Sequence, residues 1–350
     1  MKKIAVVGTV GIPACYGGFE SLVENLTLNK SKEINYMVFC SAKAYKHKKN
    51  KHNDAELIYI PLSANGISSI FYDVISLVIC LLKRPDCVLI LGVSGCIFLP
   101  FFKLLSKTKV ITNIDGLEWK RQKWGKWQRK FLKFSESIAV KYSDVIVSDN
   151  QAITDYVKKE YSVKSKTIAY GGNHAIRSCD YSNIEKGYSL ALCRIEPENN
   201  ISMILDAFAV TDEKLIFVGN WQSSDYGRKL RNNFLNNKNI ELLDPIYDLD
   251  ELYKLRKNCR LYIHGHSAGG TNPSLVEMMH FSVPIFAYDC NFNRYSTENK
   301  ALYFKSSEDL LNLLNQEDKE CFTDNAKNMY EIAARIYTWQ NISKHYESLY

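Results

Sequence analysis

No Cys-x-x-Cys pair occurs among the ten cysteines of this 350-residue chain. That absence speaks against a zinc site, and the scatter of the cysteines speaks against a secreted disulfide framework. Cys80, Cys87, Cys96 and Cys193 sit in apolar runs, as buried small hydrophobes of a reducing compartment do. Uninterrupted apolar runs of the roughly 20 residues needed to cross a bilayer are also missing. Ile67 to Leu82 is interrupted by Asp73, and Val88 to Phe102 carries Gly92, Gly95 and Pro100. We therefore expect no transmembrane segment. The opening "MKKIAVVG" is basic, but its apolar stretch is short and broken by Gly8, which predicts a first buried strand rather than a signal peptide. There is no internal repeat and no low-complexity tract.

What the chain does have is an ordinary globular composition, 46% hydrophobic and 24% charged, with enough length for about two domains. Its net charge of +7 is unevenly spread. Residues 1–170 hold 26 Lys and Arg against 14 Asp and Glu, and the remainder holds 19 against 24. A basic first half suggests a surface that faces something anionic.

Short Val/Ile-rich runs at 3–8, 36–40, 56–60, 87–91, 109–113, 144–147 and 167–169 predict strands. Between them, 18–29, 67–82, 126–142 and 150–160 have helical spacing. "AYGGNH" at Ala169 to His174 breaks the pattern. It then restarts, with strands expected at 188–193, 214–218, 240–243, 260–263, 284–287 and 301–304. Helices are expected at 200–209, 227–237, 249–257, 273–280 and 307–315. This alternation predicts an α/β fold of two doubly wound, Rossmann-like domains, with the ligand crevice at strand C-termini.

Several motifs fall at those strand ends. In "SAGGTNPSLVEMM" (Ser267 to Met279), Asn272 is a good N-cap and Pro273 suits the first helical position. Gly269 and Gly270 let a ligand approach the backbone, and free N–H groups before the helix suit an anion. A plain strand-to-helix turn is the alternative. Glu277 lies among apolar neighbours, where it either accepts hydrogen bonds from a sugar or closes an internal salt bridge. "HGHSAGG" adds His264 and His266, too few ligands for a metal but suited to a sugar or phosphate. "LCRIEPENN" puts Arg194 at the end of a strand, where a guanidinium can grip a pyrophosphate.

In the first half, "GTVGIPACYGGFESLVENL" does not have the GxGxxG spacing, although Gly17 and Gly18 open a helix near which a phosphate could lie. Glu20 follows in its first turn, where it complements the helix dipole. "NIDGLEWKRQKWGKWQRKFLKF" places Asp115 and Glu118 after a strand. It continues with Lys120, Arg121, Lys123, Trp124, Trp127, Arg129 and Lys130. Cations interleaved with Trp suit an anionic membrane interface or lipid-linked phosphates, while a solvated helix face is the plainer reading. No nucleic-acid motif accompanies them. "DLD" at Asp248 to Asp250 opens a helix, so N-capping explains it better than a metal does.

Together, "GIPACYGGFESLVENL", "NIDGLEWKRQKW", "CRIEPENN", "HGHSAGGTNPSLVEMM" and the final "TWQNISKHYESLY" resemble glycosyltransferase family 4, the group-1 class with the GT-B fold. Within it, the resemblance is to bacterial rhamnosyltransferases of capsule and exopolysaccharide assembly, of the β-1,4 type. It implies an acceptor-binding domain over 1–170 and a nucleotide-sugar domain over 171–337, facing each other across a cleft. A closing helix over 338–350 would pack back on the first domain. The donor set would comprise Arg194, Asn199, His264, His266, the run Gly269, Gly270, Thr271, Asn272, Ser274 and Leu275, and Glu277, joined by Gly17 and Gly18. Arg194 would hold the donor pyrophosphate, and Glu277 the nucleoside. Three positions depart from the class: its lysine falls at Asn199, its first glutamate at Gly269, and a histidine at the end of a first-domain strand at Asp115. Asp115, with Glu118 next, would orient or deprotonate the acceptor hydroxyl. The implied reaction takes L-rhamnose from dTDP-L-rhamnose to a polyprenyl-pyrophosphate-linked saccharide, with retention and with neither metal nor cofactor. The implied place is the cytoplasmic face of the cell membrane. A UDP- or GDP-hexose donor, a nucleotide-sugar 2-epimerase and a non-catalytic sugar-binding assembly factor are the other readings.

Overall fold

A computed structural model describes residues 1–15, 17–114, 116–120, 124–178, 187–316 and 319–350. They form two compact units, Met1–Tyr170 with Trp339–Tyr350, and Gly171–Thr338.

The first unit begins with β1 (Lys2–Val7), α1 (Gly18–Leu28), β2 (Ile34–Ser41), β3 (Lys51–His52) and β4 (Ala55–Ile60). Then come α2 (Ser68–Lys83), β5 (Cys87–Leu91), α3 (Leu99–Leu105), β6 (Lys109–Asn113), α4 (Lys126–Tyr142), β7 (Val145–Ser148), α5 (Gln151–Tyr161) and β8 (Lys166–Thr167). The strands order as β3-β4-β2-β1-β5-β6-β7-β8, parallel except for the β3–β4 edge pair. Central strands such as Cys87–Leu91 are buried throughout, because a parallel sheet is covered on both faces. Right-handed crossovers put α1 on one face and α2, α3, α4 and α5 on the other.

The second unit continues with β9 (Ser189–Leu192), α6 (Ile201–Ala209), β10 (Leu215–Val218), α7 (Asp225–Phe234), β11 (Ile240–Leu243) and α8 (Leu249–Lys257). It is completed by β12 (Leu261–His264), α9 (Pro273–Met279), β13 (Ile285–Tyr288), α10 (Asn291–Ser296), β14 (Leu302–Phe304), α11 (Ser307–Leu314) and α12 (Lys319–Ile336). Its sheet is wholly parallel, in the order β11-β10-β9-β12-β13-β14. Its core gathers residues such as Ile204, Phe208, Phe217, Trp221 and Phe286. The last helix, α13 (Trp339–Glu347), lies against α1 in the first unit.

The expected alternation is therefore present in both units. Three helices lie outside the expected helical ranges. α3 and α10 are only seven and six residues long, and α12 shows its apolar spacing among many charged and amide residues. The strand expected at 167–169 shrinks to the two residues of β8, an edge strand with only β7 to pair with. No helix among the described residues is long and apolar enough to cross a membrane.

Candidate functional site

In the second unit, β9 leads away through β10 and β11 in one direction, while β12 pairs on its other side. That reversal opens a crevice at the C-terminal ends of β9 and β12, the place where doubly wound sheets bind ligands. Two loops meet there, the turn Arg194–Asn200 after β9 and the loop Gly265–Asn272 after β12.

They are tied together by several bonds. Ser267 donates both its N–H (3.0 Å) and its hydroxyl (2.7 Å) to the carbonyl of Glu198. Asn200 Nδ2 donates to the Gly265 carbonyl at 2.8 Å. A Cβ on Gly265 would stand 2.2 Å from the Asn199 carbonyl oxygen, so only glycine fits. Below them the buried Tyr262 hydroxyl reaches the Leu192 carbonyl at 3.2 Å and Ser274 Oγ at 3.1 Å.

Asn199 is buried, and both ends of its amide are engaged. Nδ2 donates to the Arg194 carbonyl at 2.7 Å, and Oδ1 lies 2.6 Å from His266 Nδ1. An amide oxygen only accepts, so His266 carries its proton on Nδ1. The Nε2 edge then points to Gly269, where a Cβ would come within 2.9 Å of it. Gly269 also has φ +121°, a backbone conformation that side-chain-bearing residues rarely adopt. His264 is buried beneath the loop, and burial lowers its pKa to about 3, which keeps the ring neutral. Its Nε2 has no hydrogen-bond partner among the described residues.

α9 starts as its sequence predicts. Asn272 Oδ1 accepts from the Ser274 N–H at 3.0 Å and from its hydroxyl at 2.7 Å, with Pro273 at the first helical position. The Leu275 N–H bonds to the Asn272 carbonyl, and the Leu275 side chain is fully buried. The backbone N–H groups of Ser274 and Leu275 are thus both engaged within the cap. Thr271 is buried. The N–H groups of Gly269 and Gly270, like that of Ala268, make no hydrogen bond among the described residues and are available donors of the loop.

Glu277 closes an ion pair with Arg256 on α8, and its Oε1 lies 3.3 Å from His174 Nε2. Burial raises its pKa, but Arg256 and His174 outweigh that and hold the carboxyl below its ordinary value. The internal salt bridge considered for Glu277 thus exists, and the side chain still keeps 13% of its surface exposed. Arg194 differs from it. Its nearest carboxylate, Glu196, is 3.6 Å away, and 42% of its side chain is exposed at the mouth of the crevice. Asp248 caps α8 by accepting from the N–H groups of Asp250 and Glu251, each at 2.9 Å.

In the first unit, Glu20 folds back over the loop after β1. Its Oε1 accepts from the Val10 N–H at 2.7 Å and from the Thr9 hydroxyl at 2.9 Å, and a Cβ on Gly17 would strike its Oε2. The Glu20 carboxyl therefore lies beside Gly17, at the start of the helix where the sequence suggests a phosphate. Asp115, Arg121 and Lys123 lie outside the described residues. Glu118 is half-buried and accepts from Trp124 Nε1 at 3.0 Å.

The described residues of the basic and aromatic stretch divide between an inward and an exposed side. Trp119 Nε1 turns in to the buried Glu136 at 3.0 Å, which also accepts from the hydroxyls of Tyr156 (2.7 Å) and Tyr161 (2.6 Å). Lys120 stacks over Trp119 and Tyr156. Arg129 is half-buried. Trp127 is 80% exposed, with Lys130 5.3 Å from its ring.

Sequence reasoning missed Arg256, His174 and Tyr262. Each acts across many residues of chain, and only the buried carboxylate of Glu277, which demands a partner, could have prompted a search for the first two.

Comparisons with known proteins agree with this architecture. Residues 182–328 match the family described as Glycosyl transferases group 1, and residues 1–173 match the family described as Domain of unknown function (DUF1972). No curated protein matches the sequence. Among solved structures, sucrose-phosphate synthase from Thermosynechococcus elongatus superposes with a TM-score of 0.84 at 13% identity, covering 100% of this chain and 98% of that one. Anabaena HepE, solved with UDP-glucose, gives 0.77 at 14% identity, with 100% and 99% covered. A putative UDP-N-acetylglucosamine 2-epimerase from Listeria monocytogenes gives 0.65 at 13% identity, with 99% and 95% covered. The chain thus has the two-domain fold of GT-B glycosyltransferases, and its second unit carries a glycosyl transferases group 1 domain.

Proposed function

We propose that this chain is a glycosyltransferase that takes a sugar from a nucleotide diphosphate sugar bound at the β9–β12 crevice. The observation that carries the reading is the pairing of a weakly held, exposed arginine with uncommitted backbone donors at that switch point. Departure of the nucleotide leaves negative charge on its diphosphate. Arg194 and the N–H groups of Gly269 and Gly270 would meet that charge without first breaking strong internal bonds. Glu277, fixed in its ionised form by Arg256, would accept a hydrogen bond from the nucleoside sugar, and Asp115 or Glu118 would orient the acceptor hydroxyl.

The finer reading, supported by the resemblance of the motifs, is transfer of L-rhamnose from dTDP-L-rhamnose to a polyprenyl-pyrophosphate-linked saccharide of capsule or exopolysaccharide assembly. Retention, independence of metal and work at the inner face of the cell membrane belong to the same reading. Because HepE was solved with UDP-glucose, a UDP-hexose is the alternative donor to test first.

The test is a donor panel of thymidine, uridine and guanosine carriers with membrane-extracted acceptor. Transfer from the thymidine carrier is expected, and Arg194→Ala should lower it by about 100-fold, the scale on which losing a charge-stabilising donor acts. Its thermal unfolding should match the parent's. Full transfer by Arg194→Ala would overturn the assignment. Incubation with donor alone, followed by a search for an isomerised sugar, separates the epimerase reading.

A further inference from the structure

Exposed large apolar side chains are crowded into one part of this molecule. Of the 19 found among the described residues, ten fall between Ile67 and Phe134, less than a fifth of the chain. Single exposed hydrophobes are ordinary on a soluble surface, but a concentration of them on neighbouring elements marks an interaction surface.

The elements are neighbours. β4–α2–β5, β5–α3–β6 and β6–α4–β7 are successive right-handed crossovers moving the same way along the sheet, so α2, α3 and α4 share one face. α3 packs against both of the others. On α2 the inward side carries Tyr72, Asp73, Ser76, Leu77 and Cys80, all buried. The outward side carries Phe71, Ile75, Val78 and Leu82, spaced by four, three and four residues, with Leu82 80% exposed. Such spacing lays an apolar stripe along solvent, the reverse of a normal surface helix. α3 adds Phe101, Leu104 and Leu105, of which Leu104 is 81% exposed. On α4 the outward positions are Trp127, Lys130, Phe134 and Lys141, again at helical spacing.

Charge decides what covers this face. The three helices α2, α3 and α4 contain seven Lys and Arg against two Asp and Glu. Both acids, Asp73 and Glu136, are buried and do not face outward. Lys83 and Arg84 follow the apolar stripe of α2, and Lys126 and Lys130 flank Trp127. Apolar anchors set among cations, with a tryptophan between, complement an anionic lipid surface: the side chains enter the acyl boundary while the cations stay at the phosphates.

We propose that the outer face of α2, α3 and α4 is a membrane-docking surface for an anionic bilayer. It rests on the proposed function only in the expectation of a lipid-held acceptor, and extends the membrane contact beyond the α4 segment to α2 and α3.

The test is flotation of the full chain with vesicles of phosphatidylcholine alone and of phosphatidylcholine mixed equally with phosphatidylglycerol, with light scattering to give its mass in solution. Selective flotation with the anionic vesicles, weakened by salt, is expected. The double variant Leu82→Glu, Leu104→Glu should reduce vesicle binding by about tenfold or more, while Leu235→Glu, an exposed leucine of the second unit, should not. Both positions are exposed, so unfolding temperatures should stay with the parent's. Absence of binding to anionic vesicles, or equal binding by the double variant, overturns the proposal. So does a parent dimer that the double variant dissociates, since a second copy would then cover the face. The donor panel is read independently: vesicle binding without transfer sinks the proposed function alone, and transfer without vesicle binding sinks this surface alone.

Discussion

Gly269 is held to glycine by two separate constraints. Its φ of +121° excludes ordinary side chains, and a Cβ would meet His266 Nε2 at 2.9 Å. His266 cannot give way freely, because Asn199 Oδ1 holds its other nitrogen at 2.6 Å and Asn293 Nδ2 holds its carbonyl at 2.8 Å. Two of the departures from the class pattern, Asn199 and Gly269, are thus parts of one arrangement centred on His266. Gly269→Ala is expected to destabilise the second unit by about 1–3 kcal/mol through backbone strain and to lower transfer more than Arg194-independent binding steps would explain. Urea unfolding and turnover of the same preparation check it. Unchanged values for both would mean that the loop relaxes without cost and that the glycine is dispensable. None of this was legible from residue order, because the contact that organises it joins residues 67 positions apart. By contrast the cap at Asn272 and Pro273 was legible, since capping is settled within one turn of chain.

At the scale of the element, α2 shows why hydropathy alone misleads. As a sequence, Ile67 to Leu82 is one apolar run with a single acid in it. As a helix it has two apolar faces, and the acid is on the protein side. Asp73 is 3% exposed, and the Gly95 backbone N–H that favours its charged form is too little to hold a charge there. Burial raises its pKa from 3.8 to about 8, so the carboxyl is neutral in the folded protein near pH 7. The sign of the pH dependence follows. The unfolded chain releases this proton near pH 4 and the folded one near pH 8. The associated stability is full at low pH and is lost as pH rises between those values, by up to about 1.4 kcal/mol per pH unit. Asp73→Asn removes the titration while keeping the shape. Relative to the parent, that variant should gain stability steadily from about pH 5 to about pH 8. Urea midpoints measured across that range test it, and parallel curves for the two proteins would show that Asp73 is ionised when folded. The helix at α2 was legible from its spacing, but its two apolar faces were not, whereas buried parallel strands read as apolar runs whichever face is considered.

At the scale of the whole molecule, the chain's end belongs to its beginning. Trp339, Ile342, Tyr346 and Tyr350 are all buried in the first unit, although the 168 residues before them form the second. The Tyr346 hydroxyl accepts from the buried Asn113 Nδ2 at 2.9 Å, at the end of β6. Tyr350 packs edge-on to Tyr36 of β2 with their hydroxyls 3.0 Å apart, and its carbonyl accepts from Lys2 Nζ at 2.7 Å. Glu347 accepts from the Ser31 N–H at 2.7 Å. Truncating a buried aromatic costs about 3–5 kcal/mol, and here it also removes one hydrogen bond of the buried Asn113 amide. Tyr346→Ala should therefore loosen the first unit and leave the second alone. Amide hydrogen exchange resolves the two. Protection should fall in β1, β2, β5 and β6, and hold in β9, β10, β12 and β13. Loss of protection confined to the second unit would mean that the closing helix serves the domain it follows in sequence rather than the one whose core it fills.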